Sequence, residues 1–152
     1  MGSAEPSTAE RRHWMGVLAR ASLGEIAARL EQAPPLPTHT RLRGPEAGLV
    51  MVRGRQGGDG SRFNLGEMTV TRCSVRLADG TLGHAYVAGR DLRQAELAAL
   101  LDACLQRPEL RDALLAGVIA PLAARQAEAA ALVARKAAAT KVEFFTMANM
   151  RS

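Results

Sequence analysis

The stretch FNLGEMTVTRCSVRLADGTLGHAYV, Phe63–Val87, decides the fold. The run to Leu77 is β-prone, and Asp79-Gly80 is a hairpin turn signal leading into a second β-prone run, Thr81–Val87. Just upstream, Gly48–Arg53 reads as a short, largely apolar strand. Between them Gly54–Ser61, with glycines at 54, 57, 58 and 60, reads as a flexible loop. The middle of the chain is therefore a small, mainly antiparallel sheet of about three to five strands. Along the long strand the odd positions are Phe63, Leu65, Glu67, Thr69, Thr71, Cys73, Val75 and Leu77, a face apolar at both ends and polar between. Either the strand is bulged near Gly66 and Thr71, carrying Met68 and Val70 inward, or a carboxylate and two hydroxyls face a shared interior. The bulged form is the expectation.

Helices are expected on both sides of this sheet. Ser7-Thr8-Ala9-Glu10 has the form of a capping box. Behind it Trp14, Val17, Leu18, Ala21, Ile26 and Leu30 recur at helical spacing, until Pro34, Pro35 and Pro37 end the run. The segment is one helix of about two dozen residues or two shorter ones joined near Gly24. After the sheet, Asp91 caps a helix to about Gln106, and Pro108 suits the first turn of the next. Gly117 and Pro121 should break or kink it, and alanine-rich Leu122–Ala139 has strong helix preference. The fold class is α+β, with an N-terminal helix, a small sheet and a C-terminal helical layer, in one domain spanning 1–152. Residues 1–7 are expected to be disordered. The segment 142–152, with Phe144 and Phe145, looks built to dock on its own sheet or on a partner, since a free chain end otherwise frays.

Composition narrows the function. With 3% aromatic residues the core must be aliphatic, and little material remains for stacking bases. The formal charge is +5, but the cations are spread along the chain, which argues against a nucleic-acid stripe. No apolar run suggests a membrane helix, and Met1–Arg12 lacks the apolar stretch of a secretion signal. Cys73 and Cys104 are too few for a disulfide framework and lie in no metal-binding pattern, which fits free thiols in the cytoplasm.

A self-sufficient reactive centre is also missing from the pattern. His13, His39 and His84 have no metal-ligand spacing with one another or with either cysteine. Ser22, Ser61 and Ser74 lack the glycines of a nucleophile elbow, and the glycine-rich loop lacks the Lys-Ser/Thr pair and following helix of a P-loop. His84 reads as a structural hydrogen-bonding residue, and Cys73, despite the neighbouring Arg72, as a buried inert thiol. Asn64, Glu67, Thr69 and Arg72 read equally well as solvated positions of a core strand or as a polar surface that meets another chain or an anionic ligand.

Phe63–Arg72 (FNLGEMTVTR) is similar to the signature strand of the PhnG family, the G subunit of bacterial carbon–phosphorus lyase. Other landmarks agree in order: Arg12–Met15, Gly48–Arg53, Gly83–Tyr86 with Gly89-Arg90, and Ala139–Met147. The resemblance implies assembly with the H, I and J subunits, and joint work with the L subunit. That assembly displaces adenine from MgATP with an alkylphosphonate, giving a ribose 1-phosphonate 5-triphosphate. It credits the nucleosidase-type chemistry to the I subunit and the later radical cleavage to the iron–sulfur J subunit. This chain is then expected to bind no cofactor alone, to be inactive by itself, and to act as a structural or allosteric subunit without nucleic acid or membrane. The alternative is that Arg53, Arg72, Arg90 or Lys141 holds the triphosphate in a shared site, with Glu67 as an acid or base.

Overall fold

A computed structural model describes residues 4–149, with backbone alone from residue 141 onward. Of the lead expected to be disordered, Ala4–Ser7 are placed: Arg111 Nη1 donates to the Ala4 carbonyl at 2.9 Å, and Ser7 caps the first helix. That helix, α1, is Thr8–Arg20. It stops at Ala21-Ser22, where a second capping box, Ser22 with Glu25, opens α2, Leu23–Leu30. The join is thus made by a serine, and Gly24 lies inside α2.

Three strands follow: β1, His39–Arg55; β2, Arg62–Leu77; and β3, Leu82–Ala88. They form one antiparallel sheet in the order β1-β2-β3. The strand expected at Gly48–Arg53 is much longer, and the expected loop Gly54–Ser61 shrinks to a tight turn with strand on both sides. Residues 39–47 carry no apolar periodicity. Their pairing with β2 and the bonds from His39 and Arg41 to Glu96 hold them in place.

The chain ends in helices: α3, Leu92–Leu105; α4, Pro108–Leu114; a π-helical turn, Leu115–Ile119; and α5, Ala120–Asn149. Asp91 caps α3, and Pro108 opens α4, as the sequence predicts. Gly117 and Pro121 do not break the helical path, because the wide turn absorbs them. Its Ala120 amide reaches back to the Leu115 carbonyl, a spacing into which a proline without an amide hydrogen fits. The α5 backbone continues past the expected end at Ala139, through most of the segment expected as a docking tail.

Helix α3 is the centre of the core. Ala95, Ala98, Ala99, Leu101, Ala103, Cys104 and Leu105 are all buried. One side meets Cys73, Val75, Ala85 and Val87 of the sheet, and the rest meets Trp14, Val17, Leu18, Ile26, Leu114 and Val118. Small residues let helix and sheet approach closely. A Cβ at Gly83 would strike the Ala99 carbonyl and sit 2.8 Å from the Ala103 Cβ. No described helix is long and apolar enough to cross a membrane.

The long strand resolves the choice posed by its polar middle. Its odd-numbered face does turn inward at Thr71, Cys73, Val75 and Leu77, and Thr71 Oγ1 donates to the Gly89 carbonyl at 2.7 Å. Around Thr71 β2 itself is regular and its pairing with β3 is unbroken; the nearby register breaks, at Arg41/Arg43 and Arg43/Glu46, put the extra residues in β1. The extra residue in β2 is Leu65, beside Gly66 as expected, where Val52 pairs with Gly66 but Arg53 with Asn64. Val70 is buried, whereas Met68 stays exposed. Glu67 and Thr69 do occupy the core-facing side, but beyond the end of the core.

Candidate functional site

Strand β3 ends opposite Val70, at Ala88, while β1 and β2 run on as a pair from Gly48/Val70 to Arg55/Arg62. The outer half of the hairpin is therefore a two-stranded ribbon with neither helix nor third strand against it among the described residues. Nearly every residue from Met51 to Met68 is exposed. Yet its side chains resemble those of a core strand: Leu49 and Leu65 are each 62% exposed, Met51 57% and Phe63 45%. Cross-strand pairs place Leu49 and Met51 with Thr69 and Glu67 on one face, and Val50 with Met68 on the other. Both faces are apolar. A ribbon of this kind is stable only when something covers it.

The residues singled out from sequence fall at separate places on this arm. Asn64 and Glu67 are exposed on the ribbon, and Thr69 is half-buried at its base. Arg53 lies near the tip, where it joins Arg55 and Arg62 around a recess of about 220 Å³. Arg72 is at the other end, donating from Nε to Glu46 at 2.9 Å, and Arg43 does the same from the far side. These two guanidiniums hold the Glu46 carboxyl below its ordinary range, Arg43 the more strongly. Strand rise puts Arg53 about 26 Å, and Arg55 and Arg62 about 33 Å, from Arg72. Arg90 is exposed just after β3. The described arginines do not converge on one ligand within this chain. The side chains of Lys141, Phe144 and Phe145 lie outside the described residues.

The thiols are buried and protonated. Burial raises the Cys73 pKa, Glu96 adds to the rise, and only Arg41 opposes it; the Cys104 pKa is pushed up by burial to about 11. Arg72, the neighbour that could have activated Cys73, is engaged with Glu46 instead. His84 Nδ1 is 2.9 Å from Ser74 Oγ, a cross-strand contact. No three His, Cys, Asp or Glu residues among those described cluster to hold a metal.

One group escaped the sequence reading. Asp102 is fully buried in the apolar run of α3 and accepts four hydrogen bonds. Its Oδ1 takes Trp14 Nε1 at 2.8 Å and Arg11 Nε at 3.1 Å; its Oδ2 takes Arg11 Nη2 at 2.7 Å and the His84 amide at 2.9 Å. This carboxylate ties the Arg12–Met15 region to the Gly83–Tyr86 strand. The signal was present: a lone acid inside Leu100-Leu101-Asp102-Ala103-Cys104-Leu105 needs a partner if it is buried. Above it, between α1 and β3, opens a groove of about 690 Å³ lined by Arg12, Met15, Gly16, Ala19 and Tyr86, among others.

Gly48–Arg53 and Phe63–Arg72 meet in the arm, Arg12–Met15 and Gly83–Tyr86 meet at the Asp102 network, and comparison with known proteins agrees with the family these segments resemble. The family model described as phosphonate metabolism protein PhnG matches residues 9–150. The chain belongs to the PhnG family. It is also 45% identical over 148 residues to the alpha-D-ribose 1-methylphosphonate 5-triphosphate synthase subunit PhnG of Rhizobium meliloti (strain 1021), covering 95% of this chain and 92% of that protein. The PhnG match takes in the ribbon, the Asp102 network and the α5 helix alike.

Proposed function

We propose that this chain is a non-catalytic subunit of a cytoplasmic ribose 1-phosphonate 5-triphosphate synthase, the assembly that exchanges the adenine of MgATP for an alkylphosphonate. The observation that carries the reading is the projecting ribbon, apolar on both faces and uncovered in the isolated chain. The similar Rhizobium meliloti protein, named as a synthase subunit, supports the assignment. In this reading the H, I and J subunits supply the surface that covers the ribbon, the L subunit joins functionally, and the nucleosidase-type step belongs to the I subunit. This chain shapes that site and binds no cofactor of its own.

Adenine release from MgATP and methylphosphonate tests the proposal. The purified chain should release none, and the co-expressed subunits should release it only when this chain is present. Turnover by the chain alone would overturn the reading.

A second reading rests on Arg53, Arg55 and Arg62, which have no carboxylate partner within ion-pair reach among the described residues. A docked ribbon would deliver these cations to a phosphate-bearing site in a neighbouring subunit. Losing one charged hydrogen bond costs about 1.5–3 kcal/mol, roughly ten- to a hundred-fold in turnover. Alanine at each position should then slow turnover and leave the assembled complex intact. Normal rates in all three variants would remove this reading.

A further inference from the structure

The hydrogen bonds of β3 fix which of its backbone groups are free. Gly89 donates to the Thr69 carbonyl at 2.9 Å, and Leu77 donates to the Thr81 carbonyl at 2.9 Å. The unbroken register between these points makes the odd residues of β3 the ones that bond β2. The even residues, Leu82, His84, Tyr86 and Ala88, turn their amides and carbonyls to the sheet edge. Side chains of α3 close the first part of that edge. Gln106 Nε2 donates to the Leu82 carbonyl at 2.7 Å, and Asp102 accepts the His84 amide. Beyond them the His84 carbonyl, both groups of Tyr86 and the Ala88 amide have no protein partner among the described residues.

This open half-edge borders the groove beside α1. Its walls are apolar at Met15 and Ala19, and Gly16 leaves room between them. Arg12 stands on the helix side without a salt bridge among the described residues, and no carboxylate lines the groove. Free strand groups demand an extended occupant, and the unmatched guanidinium demands an acidic one. We infer that the edge of β3 from His84 to Ala88 captures an extended, acidic segment of another synthase subunit as a fourth strand. Tyr86 would exchange two hydrogen bonds with one residue of the incoming segment, and a carboxylate beside it would meet Arg12. The inference rests on the subunit reading above and adds an interface distinct from the ribbon.

Residue-resolved hydrogen exchange tests it, on the free chain and on the complex with the co-expressed synthase subunits. In the free chain the Ala85 and Val87 amides should be protected, and those of Tyr86 and Ala88 should exchange fast. In the complex the last two should slow at least ten-fold. Ala88→Pro removes an edge donor used by no internal bond, and proline is tolerated at such a position. It should weaken capture at least ten-fold, as should Arg12→Glu, with Arg12→Lys close to normal. A complex that forms with the Tyr86 and Ala88 amides unchanged overturns this inference alone. A chain that fails to enter any complex overturns the subunit reading and this one together. Protection of the two amides in a self-associated free chain would make the occupant a second copy and overturn the proposal as stated.

Discussion

Asp102 shows how a single side chain organises this protein. A carboxylate with no exposed surface is tolerable only because four donors surround it, and those donors come from α1 and β3. Asp102→Ala should cost about 3–5 kcal/mol in urea unfolding, because Arg11 and the Trp14 indole lose their common acceptor. Carboxylates nearer the surface set the acid response. Glu96 is held below its ordinary range chiefly by Arg41, with His39 adding to it, and Glu10 and Glu25 are lowered by the serine amides of their capping boxes. Groups whose folded pKa is depressed add stability above their unfolded pKa and lose it as pH falls through the folded value. The melting temperature should therefore drop as pH is lowered below about 4.5, the ordinary glutamate range. Glu96→Gln should flatten part of that fall; an unchanged pH profile in this variant would show that the Arg41 pairing contributes nothing.

At the scale of elements, local signals read well where they were chemical and poorly where they depended on neighbours. Ser7 to Glu10, Asp91 and Pro108 mark helix starts by mechanisms confined to a few residues, and each start stands where the sequence puts it. Ser22-Leu23-Gly24-Glu25 carries the same capping signature, but Gly24 drew the reading toward a hinge. The length of β1 was not legible, because Thr40–Ala47 has no periodicity and owes its extension to β2. The ribbon misled for a related reason. Leu49, Met51, Phe63 and Leu65 have the pattern of a buried strand, and only the point where β3 ends reveals that no core reaches them. Asp102 was visible as an anomaly, yet its partners lie 18 to 91 residues away in sequence. Two predictions belong here. Gly83→Val should destabilise the fold by at least about 2 kcal/mol, since the added atoms meet the α3 backbone with no space to yield. Leu49→Ser with Leu65→Ser should leave the urea midpoint nearly unchanged and abolish co-purification with the other subunits. A shifted midpoint would show that the ribbon packs internally.

As a whole, the molecule is a small core with two projections. The ribbon leaves from one end of the sheet, and α5 leaves after Gln126, whose Nε2 still donates to the Val17 carbonyl at 2.9 Å. Every described residue of α5 beyond it, to Thr140, is exposed. Continued to Asn149, the free part is about 34 Å long. Alanine gives it intrinsic helix preference, but an unpacked helix of that length is marginal in water. Removing residues 142–152 should leave the melting temperature of the core unchanged. If this segment docks, the deletion should also eliminate binding to the I subunit, and intact binding would confine docking to the sheet.

The uncovered ribbon carries a consequence for the cell's economy of synthesis. Two apolar faces and two unpaired edges, unoccupied, are an invitation to clump with like molecules or with nascent chains. Copies made in excess of their companions should turn insoluble or be degraded, so that matched production becomes a condition of survival for each copy.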